Sequence, residues 1–343
     1  MYSESDIDGA VTAGAISAQA AAALRNHIAA SHAAPAVDEE HFRLLSGFND
    51  IFVSIAVALV LVAVAWIGKS ITTPLAGALV AVSAWALAEY FTRARRMALP
   101  SILLLLAFVG GVAATLVGVL IELKPDFSDS TNAAIGAGIA LVAAGAAWLH
   151  WRRFMVPITV AAGAAASVAV VIGLVMATIP TAKDAIYPLL LVCGIAVFAL
   201  AMRWDVSDRE RRTRRSDVAF WLHLAAAPMI AHPVFHMLGV FGGDIGIGTA
   251  LIVLGLYLAF AFVALAVDRR ALLVSSLVYV LYAMYALFQN AGAVELAWAF
   301  TALVIGSALL TLSAFWPAMR RVVVGLLGSV GERLPPVGQM VAA

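Results

Sequence analysis

The sequence predicts an all-α polytopic membrane protein, and three observations lead to that prediction. Hydrophobic residues make up 64% of the 343 positions and charged residues only 12%, which is too little charge to cover the surface of a water-soluble globule. Apolar runs of the length that crosses a bilayer, about 20 residues, recur along the chain. The basic residues are concentrated in the short connections between these runs.

Ten apolar runs are long enough to form membrane spans. They lie at about 48–67, 74–92, 100–121, 131–150, 155–179, 185–202, 217–240, 245–267, 271–289 and 294–317. An even number of crossings places both ends of the chain on the same side. We therefore expect a cytosolic helical hairpin at 1–46, a ten-span membrane domain at 47–317 and an interfacial C-terminal helix and tail at 318–343.

The distribution of positive charge predicts which side holds the ends. Of the 21 Lys and Arg residues, 18 fall in the N-terminal segment, the even-numbered connections and the C-terminal tail. The odd-numbered connections hold only Lys69, Lys124 and Lys183. Because positive charge is retained in the cytosol during insertion, both termini are expected to be cytosolic. The Ala-rich composition favours a bacterial origin, so the expected location is the bacterial inner membrane.

Pairs of adjacent arginines recur in the connections on the predicted cytosolic side. They are Arg95-Arg96, Arg152-Arg153, Arg214-Arg215, Arg269-Arg270 and Arg320-Arg321, at spacings of 57, 62, 55 and 51 residues. We expect each pair to close one helical hairpin. Two explanations stay open: ordinary placement of arginine at cytosolic turns, or five duplicated hairpins with a common orientation.

The N-terminal segment is expected to form two short helices, "DIDGAVTAG" and "AISAQAAAALRNHI", with Ser17 as N-cap of the second. Its motif consists of Val11, Gly14, Ile16, Ser17, Gln19 and Ala20. With these residues the segment resembles a family of uncharacterised bacterial membrane proteins, in which a short cytosolic module precedes eight to ten spans. The resemblance covers about 20 residues and implies an architecture, because no activity is assigned to that family.

The C-terminal tail is expected to be an amphipathic anchor that lies in the membrane interface. One broad face carries Met319, Val322, Val323, Leu326, Leu327 and Val330. Arg320, Arg321 and Arg333 are then available for lipid headgroups.

Span 7 carries the densest group of polar residues within the apolar runs. The segment "HPVFH" places His232 and His236 four residues apart, which puts them on one face of a helix one turn apart. Counted from the cytosolic end, they lie about 22 and 28 Å along the helix, at about 1.5 Å per residue. Two prolines, Pro228 and Pro233, should break or bend the helix and expose carbonyl groups that water or neighbours must satisfy.

These residues define a candidate polar cavity. Its expected members are His223, His232, His236, Asp244 and Glu295, although His223 lies about half a turn out of phase with the other two histidines on a straight helix. The histidine pair can bind a ligand, a proton or a metal, but two histidines need a third ligand to hold a metal. The alternative is that both rings only join helix to helix or lie at the interface.

Other polar groups have simpler structural interpretations. Glu89 precedes Arg93 by four residues, the favourable order for an ion pair within a helix. Asp268 beside Arg269 is interpreted in the same way, and His150 between two tryptophans as a residue at headgroup level. The charged segment 203–217 is expected to be a solvated loop or a contact to anionic lipid. The Gly- and Ala-rich spans 4 and 5 should pack closely.

Three hypotheses for function remain open from the sequence. The first is a transporter-like protein that moves or binds a small molecule through a cavity lined by span 7. The second is a non-catalytic scaffold or sensor that binds a cytosolic protein through residues 1–46. The third is a membrane-embedded metal or haem protein. No catalytic motif, no cofactor and no nucleic-acid partner are predicted, and the lipid bilayer is the one partner that composition requires.

Overall fold

The structure, a computed structural model, describes residues 4–31, 48–209, 211, 213–240, 246–290, 292 and 295–334. Within these residues the chain is helical throughout its regular structure, and ten helices are long and apolar enough to cross a membrane. The predicted all-α class and the number of spans are confirmed. The chain divides into an N-terminal unit and a membrane unit, which are described separately.

Thirteen α-helices form the described part of the chain, and helices α3 to α12 are the ten spans. Their bounds are α1 Glu4–Thr12, α2 Ala18–Ser31, α3 Phe48–Ile71, α4 Thr73–Ala88, α5 Ala98–Leu123, α6 Asp129–Phe154, α7 Ile158–Thr178, α8 Ile186–Ser207, α9 Arg214–Met237, α10 Ile247–Val267, α11 Ala271–Asn290, α12 Ala297–Ala314 and α13 Trp316–Leu326. A π-helical segment, Glu89–Ala94, extends α4.

In the N-terminal unit, α1 and α2 form the predicted pair of short helices. Ser17 is the N-cap of α2, because its hydroxyl accepts a hydrogen bond from the Ala20 N–H at 3.0 Å. Arg25 of α2 pairs with Asp8 of α1 at 2.7 Å. Gly14 adopts a left-handed conformation, with φ of 70°, in the turn between the helices, where glycine carries no steric penalty.

The spans pack as consecutive hairpins, and four of the five arginine pairs lie at their turns, as predicted, whereas the fifth pair, Arg320-Arg321, lies within α13 and closes no hairpin. Helix α4 packs along α5 in the first hairpin, α6 along α7 in the second, α8 along α9 in the third and α10 along α11 in the fourth. Three of these turns share one design. In each of them, a residue with positive φ is followed by a buried residue. The residues with positive φ are Arg96, Met155 and Asp268. The buried residues are Met97, Val156 and Arg269.

Glycine sets the closest helix contact in the first hairpin. A Cβ atom on Gly77 would lie 2.4 Å from the Thr115 nitrogen, and one on Gly111 would lie 2.8 Å from the Ala81 nitrogen. Spans 4 and 5 are helices α6 and α7, and they pack closely along each other, as predicted. However, most glycines there have open space beside them, and Gly173 against Ala137 is the tight exception.

The outer surface of the membrane unit is apolar. Large side chains such as Leu59, Val82, Val278 and Leu303 are each more than 60% exposed. An aqueous surface rarely tolerates apolar patches of this extent, whereas lipid chains solvate them. The ten helices therefore fit an integral membrane protein.

Helix α9 is the span that the protein encloses most. Half of its apolar stretch is buried, and it packs against α7, α8 and α11. Close contact with α8 depends on Gly194, where a Cβ atom would lie 2.9 Å from the Met229 carbonyl. Any polar residue on this helix is therefore placed among neighbouring helices.

Candidate functional site

Helix α9 is one continuous α-helix from Arg214 to Met237, with Pro228 and Pro233 inside it. The expectation that the prolines break this span is therefore wrong, whereas a bend at the prolines stays a prediction. Both prolines lie in the half of the helix that carries His232 and His236. The helix tolerates them because neighbouring helices surround it and can satisfy backbone groups that lose their partners.

His232 and His236 lie one turn apart on one face, as predicted, and both contact tyrosines. The Tyr279 hydroxyl of α11 lies 2.8 Å from His232 Nδ1. The Tyr187 ring of α8 stacks on His236, with ring centroids 3.6 Å apart. We name these four residues the His232 cluster. The two histidines are half-buried between α8, α9 and α11, and a polar cavity lined by them stays a prediction.

Of the remaining members of the candidate cavity, His223 lies apart from this pair. Asp244 lies outside the described residues. Glu295 is exposed, in the turn before α12. His223 is fully buried and faces the other end of α8, against Asp205 and Phe198. The half-turn phase difference between His223 and the other histidines thus separates them in space, as helical geometry requires.

His223 belongs to a different group of polar residues, which the sequence interpretation did not recognise. Asp205 at the end of α8 accepts hydrogen bonds from His223 Nε2 at 2.7 Å and from Arg269 Nη2 at 2.5 Å. Arg269 also donates to the Ser216 carbonyl at 3.2 Å. We name Asp205, Ser216, His223 and Arg269 the Asp205 cluster.

Burial distinguishes the Asp205 cluster from an ordinary ion pair at the membrane surface. Asp205, His223 and Arg269 are 1%, 0% and 2% exposed. Removing an ion pair from water carries a desolvation cost that close geometry and further hydrogen bonds must offset. Here the arginine meets the carboxylate through both Nε and Nη2, the planar fork arrangement that makes such pairs strong.

One nitrogen of His223 has no hydrogen-bond partner within the described part of the chain. Nε2 is engaged by Asp205, whereas Nδ1 is buried without a partner. This pattern fits an imidazole that donates from Nε2 and keeps a lone pair at Nδ1. A second proton, on Nδ1, would need an acceptor that only water or a rearrangement can supply.

Arg269 occupies a position that is apolar in the other turns of the same design. The residue after the left-handed position is Met97 in the first hairpin and Val156 in the second. A buried apolar residue therefore suffices to close such a turn. Arg269 instead contacts Asp205 of α8, which belongs to another hairpin.

The neighbouring Asp268 joins the Asp205 cluster to the rest of this end of the bundle. Its carboxylate accepts hydrogen bonds from Arg211 at 2.7 Å and from the Trp316 indole N–H at 2.8 Å. Arg320 Nε lies 3.5 Å from the same carboxylate. These contacts join the connection before α9, the turn between α10 and α11, and helix α13.

Two expectations for this region are corrected by these contacts. Segment 203–217 is not simply a solvated loop, because Asp205 lies in the last turn of α8 and Arg211 reaches Asp268. The C-terminal helix is more than an anchor, because Trp316 and Arg320 are each 2% exposed and face Asp268. Arg320 is therefore not available to a lipid headgroup, whereas Arg321 is exposed and Arg333 carries no described side chain.

Two other interpretations also change. His150 is fully buried rather than placed among headgroups, and its ring packs against Trp85, Phe108 and Phe154. Glu89 does pair with Arg93, at 3.3 Å, but a closer partner is Arg153 of α6, with two contacts at 2.7 and 2.8 Å. That pair joins the first two hairpins and is partly exposed.

Metal binding receives no support from the described ranges, where no group of three or more His, Cys, Asp or Glu side chains could hold an ion. Asp244, the third ligand considered from the sequence, lies outside those ranges. Three cavities are lined by other residues: one of about 540 Å³ beside Trp85 and Phe108, one of about 420 Å³ beside Asp50 and Arg95, and one of about 170 Å³ beside Trp316.

Comparison with protein-family models, with curated proteins and with solved structures finds no match to this chain. The chemistry of the site therefore carries the functional argument. A buried carboxylate, imidazole and guanidinium in contact can bind a proton, exchange it and convert the change of charge into movement of helices.

Proposed function

We propose that the protein is transporter-like and that it moves or binds a small molecule in a proton-linked cycle. The observation that carries the proposal is the Asp205 cluster: a buried carboxylate, imidazole and guanidinium from three separate parts of the bundle. Burying ionisable groups away from water in a membrane protein is costly, so their presence favours a functional role such as a proton relay.

In this proposal the Asp205 cluster is a latch, that is, a set of contacts that holds helices together and that protonation releases. Its contacts hold together α8, α9 and the turn between α10 and α11, which belong to two hairpins. Protonation of His223 at Nδ1 would place a buried donor without an acceptor beside Arg269, a second positive charge. Both effects favour separation of these helices, so proton binding would open a path from this end of the bundle.

The opposite end of α9 supplies the second contact surface. His232 and His236 meet Tyr279 of α11 and Tyr187 of α8, so at both ends α9 contacts its hairpin partner α8 and the α10–α11 hairpin. His223 and His232 are nine residues apart, about 14 Å along the helix. Rigid movement of α9 would then change both clusters together, which is the coupling that alternating access requires.

A solute-driven proton flux tests the proposal. Protein reconstituted in liposomes that contain a pH-sensitive dye is offered separate pools of amino acids, sugars, nucleobases and carboxylic acids. We expect at least one pool to change the internal pH beyond empty liposomes. We expect His223→Gln and Asp205→Asn to reduce that change to the level of empty liposomes, whereas Glu89→Gln, in the partly exposed ion pair, retains it.

Size-exclusion chromatography of each variant separates loss of function from loss of folding. The proposal is wrong if no pool moves protons, or if monodisperse His223→Gln protein transports as well as the unmodified chain. The hypothesis of a scaffold that binds a cytosolic protein through residues 1–46 is the alternative that a silent transport assay would leave.

A further inference from the structure

A narrow groove lies between the last two spans, on the side of the membrane unit where the arginine pairs lie. It has a volume of about 170 Å³. Its walls are leucines of α11 and α12, namely Leu273, Leu277, Leu309 and Leu312, and one end is formed by Arg270 and Trp316. An apolar channel that ends in a cation has the two chemical parts of a phospholipid site.

The arginine at the end of the groove has unused hydrogen-bonding capacity. The guanidinium of Arg270 lies over the Trp316 ring, 4.8 Å from the centroid of that ring. Arg270 makes no hydrogen bond and no ion pair with any residue in the described ranges, in contrast to the adjacent Arg269. Stacking uses a face of the guanidinium, so its N–H edge remains available to donate hydrogen bonds to a planar or tetrahedral anion.

The charge of this residue argues for an anionic occupant. Trp316 donates its indole N–H to Asp268, but that carboxylate already contacts Arg211 and Arg320. Asp268 thus pairs with two other arginines, and within the described ranges no ion pair balances the charge of Arg270. Basic pockets between membrane helices attract anionic lipid headgroups, and the leucine walls suit a segment of one acyl chain.

We propose that this groove binds an anionic phospholipid, with its phosphate at Arg270 and part of one acyl chain between α11 and α12. Because Trp316 contacts both Arg270 and Asp268, the bound lipid also holds Trp316 against Asp268. Lipid binding would thus stabilise the side of the membrane unit where the arginine pairs lie, whether or not the protein transports a solute.

Native mass spectrometry of the delipidated full-length protein tests the site. Phosphatidylglycerol and phosphatidylcholine with identical acyl chains are titrated separately. We expect phosphatidylglycerol to be retained preferentially, and Arg270→Gln to weaken its retention about fivefold, the effect of losing one basic contact at the membrane surface. The matched control is Arg321→Gln, which removes an exposed arginine of α13 and should leave retention unchanged.

A second variant tests the apolar part of the groove without changing charge. Ser313 lines the groove and is exposed, so Ser313→Phe should fill the groove and reduce retention of phosphatidylglycerol while the protein stays folded. Glycerol phosphate alone should not compete. Equal retention of the two lipids, equal losses in Arg270→Gln and Arg321→Gln, unchanged retention in Ser313→Phe, or full competition by glycerol phosphate would each overturn the proposal.

Discussion

Arg269→Met is expected to lower the free energy of unfolding by about 3–5 kcal/mol, the typical cost of removing one partner from a buried ion pair. The variant leaves Asp205, which is 1% exposed, with a hydrogen bond from His223 but without its counter-charge. Methionine itself fits the turn, because Met97 occupies the corresponding position in the first hairpin. The loss therefore comes from the carboxylate. Tryptophan fluorescence during thermal unfolding in detergent measures the effect.

A second ion pair between helices, Arg153 with Glu89, is the matched control for this experiment. Arg153 and Glu89 approach as closely as 2.7 Å but are 39% and 34% exposed, so water solvates the carboxylate when the arginine is removed. Arg153→Met should therefore change the unfolding temperature much less than Arg269→Met. Equal shifts in the two variants would contradict the importance that we assign to burial.

A double variant separates stability from function. In Asp205→Asn with Arg269→Met, the asparagine oxygen still accepts the His223 N–H and no buried charge is left alone. Replacing a buried ion pair by neutral groups is often tolerated, so we expect most of the lost stability to return. Proton flux should not return, because the charged latch is gone. Recovery of both properties would show that the cluster serves folding alone.

Gly111→Ala is expected to destabilise the first hairpin by on the order of 1–3 kcal/mol, the usual cost of overpacking a close contact. The new methyl group would lie 2.8 Å from the Ala81 nitrogen and 2.9 Å from the Gly77 carbonyl oxygen. Both atoms belong to the backbone, so relief requires α4 and α5 to separate. The same thermal unfolding measurement detects the change.

The adjacent glycine gives the control. A Cβ atom on Gly110 would meet nothing within 4 Å, and alanine favours helix more than glycine does. Gly110→Ala should therefore be neutral or slightly stabilising. If both substitutions have the same effect, close approach of the two helices is not what requires glycine at position 111.

The architecture could be predicted from the sequence because it depends on local signals. Hydropathy located ten spans, four of the five arginine pairs located the turns of the hairpins, and Ser17 marked the start of α2. Each signal lies within one segment of about 20 residues or fewer. The physical cause is that a membrane helix must satisfy its own backbone and bury its side chains in lipid, whatever its neighbours are.

The candidate site could not be predicted in the same way, because it depends on contacts between distant segments. Asp205 pairs with Arg269, 64 residues away in the sequence. The apolar run of span 6 ends near residue 202, so Asp205 looked like part of a solvated charge run, but α8 continues to Ser207 and buries it. One signal in the sequence could have located the site. Arg269 occupies the turn position that holds the apolar residues Met97 and Val156 in the first two hairpins.

Accessibility of Ser216 tests the proposed latch most directly. The chain has a single cysteine, Cys193, so Cys193→Ala gives a background without thiols for Ser216→Cys beside Arg269. Labelling by a polar maleimide is normalised to Ser207→Cys, an exposed position on α8. We predict several-fold faster relative labelling at roughly pH 4.5 than at roughly pH 7.5, a range over which histidines change charge, and no such difference in His223→Gln. Equal labelling at both pH values, or a difference that persists in His223→Gln, would contradict a proton-operated latch.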